Sequence, residues 1–306
     1  MERISPRVDL AFKKIFGVEE NKDLLISLIN SIVGAEDQVA EVTLLNPYNA
    51  KSFKTDKLSI LDIKAKGIDG KRFNIEIQIS DEADYDKRAL YYWAKLYTEQ
   101  LQAAQDYSAL NKAIGIHILN FTSIPETNKY HNVFHVKEKD SGLRYFKDLE
   151  LHTIELNKFA SNPNEELPEI LKKVRNSLDI WVAFLTRHEL LNKDNLPKEL
   201  DNDSLKKALN VLDVMNFTHE ERDAYEDHLK WLRIEANTLK KYEAQAEARG
   251  KAEGKAEGKA EGIAEGEAKG KYEVAKNMLS IGSEPSFVSK VTGISLNDLN
   301  KLLTSK

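Results

Sequence analysis

The segments LSILDIKAK (residues 58–66) and RFNIEIQIS (residues 72–80) decide the fold that this sequence predicts. In each segment apolar and polar residues alternate, which is typical of a half-buried β-strand. Gly67, Asp69 and Gly70 lie between the segments and favour a turn. The two segments are therefore predicted to form a β-hairpin. The apolar face of its second strand would consist of Phe73, Ile75, Ile77 and Ile79.

The polar face of this hairpin is predicted to bring two carboxylates together. If the turn is three residues long and centred on Asp69, Asp62 lies directly opposite Glu76, and Lys64 lies opposite Asn74. Directly opposed Cβ atoms are about 5 Å apart, so the two carboxylates would repel each other. Such a pair destabilises a sheet but suits a divalent cation. A register shifted by one residue is the alternative.

Two interpretations of the polar face are open. Polar residues on the outer face of a hairpin are most often simply hydrated. The residue types favour a functional site, because Mg²⁺ typically takes one or two carboxylates and fills its other positions with water and phosphate oxygens. Such an ion activates water and stabilises a phosphodiester transition state, and Lys64 or Gln78 could orient the water or the phosphate.

Asp62, followed 14 residues later by Glu76-Ile77-Gln78, resembles the signature of the PD-(D/E)XK nucleases. The rest of the sequence is similar to one family among them, the recombination-promoting nucleases, which are also described as transposases. The resemblance spans residues 3–280 and implies a restriction-endonuclease-like fold, an α/β core with a mixed central sheet flanked by helices. The similar segments are DLAFKKIFG (9–17), KRALYYWAKLY (87–97), IELNKF (154–159) and EERDAYE (220–226).

The resemblance implies a metal-dependent DNA endonuclease that promotes recombination or transposition-like events. Asp62 and Glu76 would bind Mg²⁺, or Mn²⁺ or Ca²⁺ in its place, and Asp9 would approach the same ion. Gln78 would position water or phosphate. Arg88, on the following helix, would assist by binding phosphate or supporting the site. A surface ion pair between Asp9 and Lys13, four residues apart on one helix, is the alternative for Asp9.

Two positions depart from the wider signature. Leu61 stands where the signature has proline, and Gln78 stands where it usually has lysine, although glutamine is common there in this family. Because a neutral amide cannot supply the missing charge, Lys64 is the predicted source of it. The alternative function is a catalytically inactive DNA-binding or oligomeric assembly protein that keeps the nuclease fold.

Composition restricts the class of protein. The 306 residues include no cysteine, so disulfides and thiolate metal sites are excluded. No apolar run approaches the roughly 20 residues that span a bilayer, and the first residues lack the apolar core of a secretory signal. We therefore expect a cytoplasmic protein without a membrane partner. The net charge is −5, but residues 51–72 have seven basic and three acidic side chains. Such a basic stretch suits DNA, and it also suits an ordinary mixed surface.

Helical and strand patterns surround the hairpin in the order expected of the nuclease core. Two helices between Pro6 and Ile32, separated at Gly17, precede a strand near Val39 to Leu45. After the hairpin, one helix is predicted from Tyr85 to Ser108, followed by the buried parallel strand AIGIHILNF (113–121). In that helix Tyr92 follows Arg88 on one face and could help to bind phosphate, whereas Trp93 and Tyr97 are expected to pack on the sheet.

We predict four regions: a nuclease-like domain (1–160), a helical module (161–240), a glycine-ladder helix or linker (241–280) and a short helical hairpin (281–306). In the third region, glycine recurs every fourth residue from Gly250 to Gly270. Each glycine costs a helix about 1 kcal/mol relative to alanine, so a flexible linker is the alternative. Like charges four residues apart also destabilise a lone helix. The C-terminal helical region is therefore predicted to form homo-oligomers.

Overall fold

The computed structural model describes residues 4–47, 62–81, 84–162, 165–213, 215, 217 and 219–304. The chain divides into two compact units, Met1–Arg233 and Ile234–Lys306. The four-region division predicted from the sequence stays a prediction. Leu61 lies outside the described residues, as does most of the basic stretch before it.

The first unit contains a mixed sheet of six strands within the described residues, in the order β1-β2-β3-β4-β6-β5. β3, β4 and β6 are parallel to one another, whereas β1, β2 and β5 each pair with a neighbour in antiparallel fashion. The strands are β1 (Val42–Leu44), β2 (Asp62–Gly67), β3 (Arg72–Gln78), β4 (Ala113–Leu119), β5 (His131–Phe134) and β6 (Leu149–Glu155).

Helices flank the sheet, so the predicted α/β architecture is confirmed. None of the helices in the described ranges has the length and apolar character that a bilayer crossing requires. The α-helices of the described residues are α1 (Asp9–Phe16), α2 (Lys22–Ile32), α3 (Tyr85–Thr98), α4 (Leu156–Phe159), α5 (Leu167–Leu171), α6 (Ser177–Arg187), α7 (Asp203–Asp213), α8 (His219–Ser280), α9 (Pro285–Thr292) and α10 (Leu296–Thr304).

The hairpin of β2 and β3 has the predicted register. Asp62 pairs with Glu76 and Lys64 with Asn74. The backbone N–H of Gly67 donates to the carbonyl of Lys71 over 2.9 Å, which closes a three-residue turn centred on Asp69. In this turn Gly70 has a φ of 89°, a conformation that favours glycine.

One large apolar core lies on the face of the sheet opposite Glu76. Ile63 from β2 and Ile75 and Ile77 from β3 are buried there, together with side chains from α1, α2, α6 and α7. On the other face α3 covers β3 and β4, where Tyr85 and Ala89 pack against Leu119. Every residue of β4 is buried, as predicted for a strand with both faces covered.

The helix predicted to end at Ser108 ends at Thr98. Just beyond this end, the Gln100 side-chain amide donates to the carbonyl of Asn111 (2.9 Å) and accepts from its N–H (3.0 Å). These bonds tie the helix end to the chain that enters β4, and the intervening loop includes Ala104 at a φ of 68°. Residues 98–112 contain neither glycine nor proline, so none of the residues that usually end a helix marks the end of α3 in the sequence.

The glycine repeat lies inside α8, and a Cβ built at any of its six glycines meets no atom within 4 Å. In the second unit α9 ends at Gly293, whose φ is 75°. Ser295 caps the start of α10. The Ser295 hydroxyl donates to the Asp298 carboxylate (2.7 Å), and the Asp298 N–H donates to the Ser295 hydroxyl (3.2 Å).

A buried carboxylate at the start of β6 joins several parts of the first unit. Glu150 is 3% exposed and accepts hydrogen bonds from Lys112 (2.8 Å) and Arg144 (2.9 Å). His152 Nε2 lies 2.8 Å from its other oxygen, and Lys112 also contacts Asp37. Burial alone would raise the pKa of Glu150, but the hydrogen bonds with His152 and Lys112 lower this pKa well below its ordinary value.

We expect Glu150→Gln to reduce the free energy of unfolding at pH 7 by about 3 kcal/mol, because it removes a buried negative charge that both Lys112 and Arg144 contact. Folding depresses the pKa of Glu150, so its stabilisation is present above the unfolded-state pKa and is lost as pH falls through the acidic range. The difference between the two proteins, measured by urea unfolding, should therefore be almost unchanged at pH 5 and smaller at pH 3. Glu126→Gln at an exposed position is the control, and an equal effect of both substitutions would contradict the prediction.

Candidate active site

Glu76 lies near the end of β3 and is 4% exposed, because strands flank it and α3 covers it. One of its oxygens accepts a hydrogen bond of 3.1 Å from Arg88 Nη2, and the other lies 3.7 Å from His117 Nδ1. Arg88 Nη2 also donates to Gln78 Oε1 over 2.7 Å, and the Gln78 amide donates to the carbonyl of Ser80 over 3.2 Å. A single guanidinium nitrogen thus holds a carboxylate and an amide together.

Arg88 reaches this position because of how α3 packs on the sheet. It lies in the first turn of α3, between Tyr85 and Ala89, which are both buried against Leu119. The guanidinium carbon is 5.2 Å from the centre of the Tyr85 ring, within the range of a cation–π interaction. The structure therefore brings together Glu76, Gln78 and Arg88, three of the residues that the sequence predicts for the site.

Asp9, at the start of α1, is electrostatically coupled to Glu76. Its pKa is raised to about 7, first because the carboxyl is largely removed from water and then because the charge of Glu76 repels a second negative charge. Lys13 and Arg88 act in the opposite direction on this pKa. Two carboxylates that repel each other in a desolvated position are typical of a site that a cation neutralises.

The donor atoms around this pair are those that magnesium prefers. The Cα of Asp62 is directly opposite that of Glu76, although the Asp62 side chain is outside the described set. Carboxylate oxygens from Asp9, Asp62 and Glu76 would form an all-oxygen set, which fits Mg²⁺. Among the side chains that the structure describes, no group of three or more His, Asp or Glu could hold a metal ion. The fit therefore requires Asp62.

Lys64, the predicted source of the missing charge, and Lys13 of α1 have different surroundings. Lys64 Nζ lies 3.4 Å from the carboxylate of Glu99, beyond the C-terminal end of α3. Lys13 is 3% exposed, and its charge lowers the pKa of Asp9. The sequence predicted Lys13 only as a surface ion-pair partner of Asp9. The spacing of four residues indicated that Asp9 and Lys13 share one face of a helix. Burial of Lys13 depends on tertiary packing, which this spacing does not reveal.

His117 supports the site from β4. It is 1% exposed, as predicted for a residue of a buried strand, and its Nδ1 is 2.8 Å from the Tyr85 hydroxyl. Burial, followed by the positive charges of Arg88 and His152, lowers the pKa of His117 to about 4. The imidazole is therefore neutral at pH 7. In this state it supports Tyr85 without adding a charge beside Glu76.

We expect Asp9→Asn to increase the free energy of unfolding of the metal-free protein at pH 8 by about 1–3 kcal/mol. This range is smaller than the free energy that corresponds to the full pKa shift, because Asp9 is partly exposed. Folding raises the pKa of Asp9 from 3.8 to about 7, so its ionisation makes the free energy of unfolding fall as pH rises between those values. Urea unfolding in EDTA at pH 4 and pH 8 measures this, and the effect should be small at pH 4. Asp86→Asn, at an exposed position of α3, is the control; destabilisation by Asp9→Asn at pH 8 would refute the coupling.

The comparisons with known proteins agree with this geometry. A family model described as PD-(D/E)XK nuclease family transposase matches residues 6–242. This range includes every predicted site residue and all six strands of the sheet. Comparisons with curated proteins and with solved structures find no match.

Proposed function

The chain belongs to the PD-(D/E)XK nuclease family transposases, and from this premise we propose that it is a Mg²⁺-dependent DNA endonuclease that promotes recombination or transposition-like events. The observation that supports this function most is the convergence of carboxylates at one point of the sheet: Asp62 lies opposite Glu76 in the strand register, and the charge of Glu76 repels that of Asp9 and raises its pKa. A protein that only bound DNA would have no use for this repulsion, because DNA is itself negatively charged.

Each residue of the site would have its own role. Asp62, Glu76 and Asp9 would hold the ion, and Mn²⁺ or Ca²⁺ could occupy the same oxygen ligands. When bound, a magnesium ion activates water and stabilises the charge of a phosphodiester transition state. Gln78 would orient the attacking water or the phosphate. Arg88 would fix Glu76 and Gln78 in position through its hydrogen bonds to both.

Lys13 would supply the positive charge that Gln78 lacks. A buried ammonium group is costly unless negative charge surrounds it, and Lys13 is buried beside the coupled pair of Asp9 and Glu76. A fixed cation at that position would stabilise the negative charge that develops on phosphate oxygens during hydrolysis. Lys64 stays the alternative source, although its amine pairs with Glu99.

The prediction that the C-terminal helical region forms homo-oligomers also remains a proposal. The open space around the six glycines of α8 would allow a second helix to approach its backbone closely.

Nicking of supercoiled plasmid by the purified full chain in Mg²⁺ tests the proposed activity. We expect Asp62→Asn and Glu76→Gln to lower the nicking rate at least about 1,000-fold, because each removes a charge that holds the ion. Binding of Mn²⁺, followed by electron paramagnetic resonance, should weaken in both variants and stay unchanged in the exposed control Glu126→Gln. Equal nicking by all of these proteins would refute the catalytic role. DNA binding without cleavage by any of them would favour the inactive alternative.

Single-turnover cleavage by Lys13→Met and Lys64→Met distinguishes the two lysines. We expect Lys13→Met to slow the chemical step about 100-fold while DNA affinity changes less than about threefold, because the charge acts on the transition state. Lys64→Met should slow the chemical step less than about threefold, since it removes only an exposed ion pair. The opposite ranking would assign the catalytic charge to Lys64.

A further inference from the structure

We propose that the side of α3 next to the candidate active site binds a single-stranded or locally unpaired DNA strand by stacking its bases on Tyr91 and Tyr92. DNA as the partner rests on the proposed function. The exposed side of α3 indicates which form of DNA is bound and which residues recognise it.

Three successive large side chains of α3 are exposed to solvent. Leu90 is 50% exposed, Tyr91 64% and Tyr92 38%, and the rings of Tyr91 and Tyr92 are 5.7 Å apart in an edge-to-face arrangement. Adjacent exposed apolar residues on an otherwise packed helix mark an interaction surface more often than isolated ones do.

Two other aromatic residues of α3, Trp93 and Tyr97, have a structural role. Trp93 and Tyr97 stack with ring centres 5.5 Å apart, and they are tied to the sheet, as predicted. Trp93 donates to the carbonyl of Ala113 (2.8 Å), and Tyr97 donates to Asp148 (3.0 Å). The same helix therefore contains one aromatic pair that serves the fold and a second pair that is turned towards solvent.

The exposed tyrosines are continuous with the candidate active site. Tyr92 follows Arg88 by four residues and lies about one turn further along the same side of α3, about 6 Å away along the axis. Arg88 contacts Glu76 and Gln78. A DNA strand with a phosphate beside Arg88 would therefore continue past Tyr92 and Tyr91.

Lysines border the tyrosines and suit a polyanion. Lys87 and Lys95 have side chains that are 75% and 51% exposed, and both are on α3. Lys87 contacts Asp84, while Lys95 and Lys64 share Glu99 at 3.6 and 3.4 Å. Exposed ion pairs of this kind contribute little to stability, so a DNA phosphate can replace the carboxylates at small cost.

The exposed tyrosines indicate whether the bound DNA is single-stranded or a duplex. Lysines contact phosphates in single strands and duplexes alike. A tyrosine ring needs the flat face of a base, and in a duplex these faces are covered by neighbouring base pairs. Stacking on aromatic side chains is the usual way in which proteins bind unpaired bases without sequence preference. The presence of two exposed tyrosines between lysines therefore favours binding of a single DNA strand.

Fluorescence anisotropy with the full chain in EDTA tests this inference, using a fluorescein-labelled oligonucleotide of about 20 nucleotides, single-stranded or as a duplex. We expect the double variant Tyr91→Leu, Tyr92→Leu to weaken single-strand binding at least about tenfold and duplex binding less than about threefold. The double variant with phenylalanine should bind the single strand like the original chain, because it keeps both rings. Quenching of a 2-aminopurine base in the strand reports stacking directly and should be lost only with leucine.

Tyr145→Leu, at a 74% exposed position in the loop before β6, is the matched control and should change neither affinity. Thermal unfolding of each variant checks that the fold is retained. The inference is overturned if the leucine variant loses equal affinity for single strand and duplex, or loses no affinity. It is also overturned if the phenylalanine variant does not preserve binding. If tyrosine-dependent binding is present but plasmid nicking is absent, only the proposed activity fails. If nicking is present and the leucine variant binds normally, only this inference fails.

Discussion

The antiparallel register of β2 and β3 is the constraint on which the candidate site depends. Because side chains alternate between faces, a shift of one residue would move Glu76 and Gln78 into the apolar core and turn Ile75 and Ile77 towards α3. The burial of these isoleucines and the three-residue turn containing Gly70 both favour the observed register. The apolar face of the hairpin thus positions the charged residues of its polar face.

A second constraint is the balance of charge inside the site. Glu76 and Asp9 repel each other, and Arg88 and Lys13 offset part of that repulsion. Because the pKa of Asp9 is still raised to about 7, these two cations do not offset the repulsion completely, and a proton on Asp9 or a bound cation would relieve the rest. Groups held in this way are preorganised, because the cost of bringing them together has been met during folding. The apolar core beneath the hairpin supplies the stability that makes such an arrangement tolerable.

Local patterns in the sequence were sufficient for the hairpin and the buried strand β4, but they left two registers of the hairpin open. They were sufficient because alternation, turn residues and continuous apolar runs act over a few neighbouring residues. They were not sufficient for the end of α3, which is set by hydrogen bonds between Gln100 and Asn111. Burial of Lys13 and the hydrogen-bonding role of Glu150 likewise depend on residues distant in the chain. Alternation also assigned Lys64 to the right face, but it could not show that its long side chain turns towards Glu99.

The six glycines of α8 have a consequence for how the chain moves. Their positions are surrounded by open space, so no side-chain packing reinforces the backbone there. Glycine also destabilises a helix relative to alanine, because the unfolded backbone has more conformational freedom at glycine. Segments of this kind open locally at low free energy while the remainder of a protein stays folded. The amide protons of residues 250–270 should consequently exchange with solvent sooner than those of the central sheet, and proteases should find their first cleavage sites there.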